Sequence, residues 1–241
     1  MINQILVIDT ETTGLDHEKD KVVEIGAVMV AYSPKKGKAK AKGTIKGSFQ
    51  TLVNPLMKMP PYARAVHHLS DEDLKDAPLF DVALEELKEF SGKDKFWAAA
   101  QSAGFDSGFF PKKSKWICTW RCARHLWPDL ESHSNQALRY ALPDVNDWIE
   151  KAGADKAMPP HRALPDAWVT AHVVLKMLEG KTPDELLALT EEPILMKKIP
   201  FGMHRGTKFE ELPASYLSWM CRQVDMDPDA KFSADYWLRQ K

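Results

Sequence analysis

The chain has 241 residues, 44% hydrophobic and 28% charged, which is the profile of a globular protein with one medium domain, or one domain and a small module. Its formal net charge of -1 excludes a broadly basic protein, so any nucleic-acid contact must come from a local patch. No apolar stretch reaches the ~20 residues of a membrane span, and Met1-Ile2-Asn3-Gln4 does not read as a signal peptide. Three cysteines without Cys-x-x-Cys spacing (Cys118, Cys122, Cys221) argue against a disulfide framework or structural zinc and point to a reducing, cytoplasmic setting.

Ile5 to Asp9 reads as a first strand, running straight into Asp9-Thr10-Glu11-Thr12-Thr13-Gly14. Val22 to Val30, long and β-branched, predicts a second strand, and Ser48 to Val53, closed by Asn54-Pro55, a third. The lysine-rich segment 35–46 between them is expected as a loop or hairpin tip, either contacting phosphates or simply solvated. Ser70 is placed to cap a helix with acids in its first turn, and Asp81 to Phe90 has apolar residues at helical spacing. Phe96 to Ala100 predicts a buried strand, with Phe105-Asp106 opening the next helix. Trp116 to Thr119 predicts a strand followed by a helix to about Trp127, and Ser134 to Leu142 a further helix. Ala163 to Leu178 reads as a long amphipathic helix with Trp168, Ala171, Leu175 and Leu178 on one stripe, ended by Gly180. Three antiparallel strands followed by alternating strand and helix predict an α/β fold, a mixed sheet with helices on both faces. The expected organisation is a domain over 1–181, a linker over 182–197 and a small C-terminal module over 198–241.

An Asp-x-Glu pair on a strand projects both carboxylates to one face, because the side-chain period is two. Such anions repel unless a cation sits between them, and hard oxygen donors suit Mg2+ or Mn2+. Asp9, Glu11, Asp106, Asp166 and His161 together make the parts list of a two-metal phosphodiesterase. Asp9 would bridge both ions, Glu11 and Asp166 would complete the water-activating site, and Asp106 would hold the second ion. His161 would take the proton of the attacking water. Pro159-Pro160 place it on a loop or first helical turn, with Asp166 further in. Taken singly, each has a plainer reading: strand-end acid, loop acid, helix cap or helix-start histidine.

Ile8 to Leu15, Phe105-Asp106, and His161-Arg162-Ala163-Leu164-x-Asp166-Ala167 resemble the DEDDh 3'-5' exonuclease family, with its RNase H-like fold. Within it, Trp116-Ile117-Cys118-Thr119, Ala123-Arg124-His125-Leu126-Trp127-Pro128 and Phe201-Gly202-x-x-Arg205-Gly206 resemble a bacterial exodeoxyribonuclease branch, and Tyr216-Leu217-x-Trp219 fits it too. The resemblance implies stepwise hydrolysis from DNA 3' ends, single-stranded or duplex, releasing nucleoside 5'-monophosphates with two Mg2+ ions, for which Mn2+ can substitute, in DNA repair. It also implies that Thr12, Gly14, Leu15, His67 and Phe105 contact substrate, with Leu15 wedged against the terminal base. His67 has a plainer reading as a helix-start histidine. One departure is that Gln101-Ser102 stand where the family has His-Asn. RNA trimming by the same fold, and nucleic-acid binding without catalysis, are the alternatives. The C-terminal module offers Phe201, His204, Arg205, Lys208 and Trp219 for phosphate and base contact, against the rival reading of a structural cap.

Overall fold

The structure, a computed structural model, describes residues 3–33, 42–92, 95–111 and 115–241. Two compact units divide it, Met1–Thr190 and Glu191–Lys241. Within the segment 182–197, α9 (Pro183–Glu191) buries Leu186 in the core of the first unit.

A five-stranded sheet organises the first unit, in the order β3-β2-β1-β4-β5. β1 (Gln4–Thr12), β2 (Val22–Ser33) and β3 (Lys42–Leu52) are antiparallel neighbours. β4 (Trp97–Ala100) runs parallel to β1, and β5 (Trp116–Cys118) parallel to β4. Both faces are covered, which is why β1 reads as a continuous apolar run. Ile5 and Val7 enter one core; Leu6 and Ile8 enter the other. The first core is closed by α5 (Thr119–Leu126), α6 (Asn135–Ala141), α7 (Pro143–Ala152) and α8 (Ala163–Leu178), and the second by α3 (Phe80–Ser91). The shorter α1 (Pro61–His67), α2 (Asp71–Leu74) and α4 (Ala103–Asp106) lie on the connections. Ser70 and Asp73 form the expected capping box of α2.

The third strand is longer than expected, starting at Lys42 rather than Ser48. Its inward positions alternate Gly43, Ile45, Gly47 and Phe49, so two inward places carry no apolar signal. A Cβ at Gly43 would lie 2.3 Å from Leu175 Cδ2, so the α8 side chain lies directly over this position. Residues 42–46 of the lysine-rich segment therefore belong to an edge strand, which corrects the loop expectation for them. Residues 34–41 lie outside the described residues. α8 is buried at twelve of its 16 positions rather than along one stripe, as befits a helix packed on all sides. Among the described residues, no helix is long and apolar enough to cross a membrane.

In the second unit, α10 (Ala214–Arg222) and α11 (Pro228–Leu238) pack Leu217, Met220, Ala230 and Ala234 around the fully buried Phe209. Buried Asp229 and Ser233 on α11 accept the backbone N–H groups of Ile194 and Met196 (2.9 and 2.8 Å), fastening the extended lead-in to this core.

The closest approach of sheet to helix lies at Gly26, where a Cβ would fall 2.2 Å from both Ala163 C and Leu164 N. Only a glycine lets α8 start against β2 here. Gly26→Ala is expected to lower stability by about 3 kcal/mol in urea unfolding, since neither backbone can give way cheaply. An unchanged unfolding midpoint would contradict this account of the packing.

Candidate active site

Asp9 and Glu11 continue the face of β1 that carries Ile5 and Val7. That is the face on which α8 packs, so the start of α8 brings Asp166 to them. Single oxygens of Asp9, Glu11 and Asp166 all lie within 4.8 Å of one another. Asp106 arrives from α4, which follows β4, the other neighbour of β1. It is buried, and its Oδ1 accepts from the backbone N and the Oγ1 of Thr10 (3.1 and 2.9 Å). The strand that bears Asp9 thus also holds Asp106.

Asp166 is clamped at both oxygens. His161 N donates to Oδ2 (2.7 Å), and Asn135 Nδ2 to Oδ1 (3.0 Å) and to the Asp166 carbonyl (2.9 Å). Thr170 Oγ1 fixes the Asn135 amide from one turn further along α8 (3.1 Å). His161 precedes the helix at a left-handed φ of 60°, with its side chain exposed. Helical spacing is therefore irrelevant to the pair, and the loop places His161 beside Asp166.

The electrostatics show how crowded the group is. Burial, then the charges of Asp106, Asp166, Glu11 and Glu24, hold the Asp9 carboxyl well above its ordinary range. Burial, with Asp166 and Glu24, pushes Glu11 up to about 8. Burial pushes Asp106 up to about 7 against the hydrogen bonds from Thr10, and raises Asp166 against those from His161 and Asn135. Four carboxylates on converging elements, each disfavoured as an anion, form a donor set that fits hard divalent cations.

One buried acid behaves oppositely, and the sequence reading gave it no role. Glu24, fully buried on β2 and opposite Glu11, accepts Arg162 Nε and Nη2 (2.9 and 2.6 Å), Ala163 N (3.1 Å) and Gln50 Nε2 (2.6 Å). Burial alone would push its carboxyl up, but these donors outweigh burial and hold it below its ordinary range. The forked Arg162 pair ties the residue after His161 to the centre of the sheet. The available signal was an acid inside an apolar β-branched run, since a charge buried there requires a partner.

The expected substrate-contact residues fall into two groups. Thr12, Gly14 and Leu15 lie on a braced turn. Thr12 Oγ1 donates to the Gly14 carbonyl (2.6 Å), while Asp20 accepts Thr13 Oγ1 and Asp16 N (2.9 Å each). A Cβ at Gly14 would lie 2.4 Å from the Asp20 carboxylate, so the brace requires a glycine. Leu15 projects from this turn with 83% of its surface exposed. His17 pins the same loop to the Asp106 segment by donating Nε2–H to the Phe105 carbonyl (2.9 Å) and packing edge-on against Phe109. Phe105 is itself half-buried against Phe109. His67 closes α1 rather than opening a helix, and it is buried, which corrects the helix-start reading. Its Nδ1 accepts Leu69 N (3.1 Å), leaving the proton on Nε2, which has no partner of good geometry among the described residues. Gln101 is committed elsewhere, bonded to His133 O (2.8 Å) and Thr119 Oγ1 (2.6 Å), and the Ser102 side chain caps nothing.

Two outcomes follow. Arg162→Ala leaves Glu24 buried without its cation and is expected to lower stability by about 3–5 kcal/mol in denaturant titration; a loss under about 1 kcal/mol would show that the pair fastens nothing. In chelator, the acids with raised pKa favour the folded state most below their ordinary values of 3.8 and 4.5, and this advantage disappears as pH rises through about 7 and 8. The melting temperature in EDTA should therefore fall from pH 6 to 8.5, and saturating Mg2+ should abolish the fall; a flat profile in EDTA would contradict the crowding.

A family model described as Exonuclease (RNase_T) matches residues 6–174. A second model, described for a quorum-sensing-regulated virulence factor (QSregVF_b), matches residues 188–231. Exodeoxyribonuclease 10 of Escherichia coli is 29% identical over 239 residues, covering 96% of this chain and 97% of that protein. A PolC-type DNA polymerase III of Caldanaerobacter subterraneus is 30% identical over 213 residues, covering 82% of this chain but 14% of the polymerase. Among solved structures, exonuclease X in complex with 5' overhanging duplex DNA matches at 27% identity and TM-score 0.56, over 77% of this chain and 99% of that one. The nuclease domain of 3'hExo, a DEDDh family member bound to rAMP, shares the fold at 19% identity and TM-score 0.53, over 73% of this chain and 92% of that one.

Proposed function

Because the chain belongs to the exonuclease family and is a DEDDh-type 3'-5' exonuclease, we propose that its substrate is the 3' end of DNA, shortened by single nucleotides released as 5'-monophosphates. The observation that carries the chemistry is the convergence of Asp9, Glu11 and Asp166 within 4.8 Å, with buried Asp106 adjoining. Asp9, Glu11, Asp106 and Asp166 would hold two Mg2+ ions; Mn2+ has the same hard-donor preference. Bound there, the ions supply activation of water and stabilisation of the leaving oxygen.

The remaining roles belong to the chain's own side chains. His161, exposed beside Asp166, takes the proton of the attacking water. Asn135 and the His161 backbone hold Asp166 in one orientation, so the base and the carboxylate keep a fixed relation. Leu15, on its braced turn, separates the terminal base from its neighbour. His67 lies buried against the Thr12 backbone, and with Thr12, Gly14 and Phe105 it completes the contact surface for the terminal nucleotide. DNA is favoured over RNA by the likeness over nearly the whole chain to an exodeoxyribonuclease. The same reading places the enzyme in DNA repair, in a reducing cytoplasm that keeps its three cysteines free.

A time course on 5'-labelled single-stranded DNA and RNA of one sequence, with Mg2+, Mn2+ or EDTA, tests the reading. A metal-dependent ladder shortening from the 3' end, faster on DNA, is expected; faster RNA shortening would move the substrate to RNA, and inert binding would leave a non-catalytic protein. Asp9→Asn and Asp166→Asn should abolish the ladder while keeping the fold by circular dichroism. His161→Ala should lower kcat by roughly 10²–10⁴ with KM little changed and partial rescue by added imidazole. Retention of full kcat would remove His161 as the base.

A further inference from the structure

We propose that the C-terminal unit carries a stacking platform for single-stranded DNA, formed by His204, Tyr216 and Trp219 and flanked by Arg205 and Arg222. Tyr216 and Trp219 stack on the outer face of α10, with ring centroids 5.3 Å apart and planes 29° apart. His204 meets Tyr216 edge-on at 4.4 Å. The inner face of the same helix supplies Leu217 and Met220 to the core; Tyr216 is half-buried against that core, and Trp219 lies outside it. Trp219 leaves 42% of its surface exposed and Met203 87%.

The loop that presents His204 is built, not loose. Ile199 N donates to Thr207 O (3.0 Å), Gly206 N to Ile199 O (2.8 Å) and Arg205 N to Gly202 O (3.2 Å). Gly202 and Gly206 take positive φ values of 68° and 89°, which lets the turn close. Arg205 is exposed at its tip, next to His204. Arg222 lies three residues beyond Trp219 on the helix, its Nη1 donating to Ser218 Oγ (2.6 Å).

Charge selects the occupant. Segments 197–208 and 213–223 together carry five Lys or Arg and no Asp or Glu, whereas the rest of 191–241 carries three Lys or Arg and eight Asp or Glu. Of these, Arg205 adjoins His204 in the chain and Arg222 follows Trp219 by three residues. Lys208 is neutralised by Glu210 (3.2 Å), and Phe201 has no ring contact with His204, Tyr216 or Trp219 among the described residues, so neither belongs to the platform. A partner with flat π-faces joined by regularly spaced anions matches this surface, and a single DNA strand has that chemistry. The choice of DNA rests on the substrate proposed above. The platform would retain a strand between cleavage steps.

The test uses the full chain in EDTA and a fluorescein-labelled oligothymidylate of about twenty nucleotides, read by anisotropy. Trp219→Ala should weaken binding by about tenfold or more, Trp219→Phe should stay within about threefold, and Arg205→Ala should flatten the salt dependence. With Mg2+, hydrolysis of the p-nitrophenyl ester of thymidine 5'-monophosphate, a substrate of one nucleotide, should be as fast in Trp219→Ala as in the parent, while long strands are released after fewer cuts. Binding within twofold of the parent for a folded Trp219→Ala protein overturns the platform, as does a change in sedimentation mass without loss of DNA affinity, which would make the face a contact between copies. Failure of the parent itself to cleave ester and strand would overturn the catalytic reading instead, and the anisotropy comparison would still decide the platform.

Discussion

Four carboxylates are taken out of water around the end of β1 and the start of α8, and their burial, with repulsion onto Asp9 and Glu11, sets the terms for everything around them. Left as anions they would push the elements apart; left protonated they would be poor ligands. The fold holds each one by a neighbour that leaves it able to ligate: Thr10 for Asp106, Asn135 and the His161 backbone for Asp166, and the strand itself for Asp9 and Glu11. The resulting group is destabilised when ionised even with Arg162 nearby, and that favours the binding of a divalent cation. Electrostatic strain in the free site and affinity for cations are two descriptions of one arrangement.

Holding that arrangement requires a fastening of opposite character, and Glu24 provides it. It is the one acid of the neighbourhood whose carboxyl is held low, because Arg162, Ala163 N and Gln50 converge on it. Gly26, two residues further along β2, lets the backbone of α8 come close enough for those bonds to form. β2 therefore contributes no ligand and still sets where His161 and Asp166 stand. On the other side of the cluster, His17 and Asp20 brace the turn that exposes Leu15. In the role of wedge proposed for Leu15 the loop would have to resist being pushed back, and both braces would serve that end.

The parts of this account that were legible in the sequence are those with strong local signals. The β1 run, the β-branched β2 and the whole span of α8 announce themselves by apolar content, and the acids by their position at element ends. The start of β3 was hidden because Gly43 and Gly47 occupy inward positions, beneath Leu175 of α8 and Phe90 of α3, and carry no apolar signal. Helices α1, α7 and α11 were missed for a related reason: α7 buries only Val145 and Ile149, too few to fix a period. Glu24 and Asn135 act through partners 138 and 31 residues away, and no local pattern encodes such contacts. The second unit was visible as a change of texture, but which side of α10 faces out emerged only when Trp219 fell outside and Leu217 and Met220 inside.

The claim on which the rest depends is that the four acids form one cation site rather than a set of separate strained groups. It is tested most directly by counting Mn2+ ions bound by the chain, by electron paramagnetic resonance, with thymidine 5'-monophosphate present, in the parent and in Asp9→Asn. The account predicts two ions in the parent and the loss of both tight sites in the variant, as follows if Asp9 bridges both ions. Equal binding by the two proteins, or no tight binding by the parent, would contradict it.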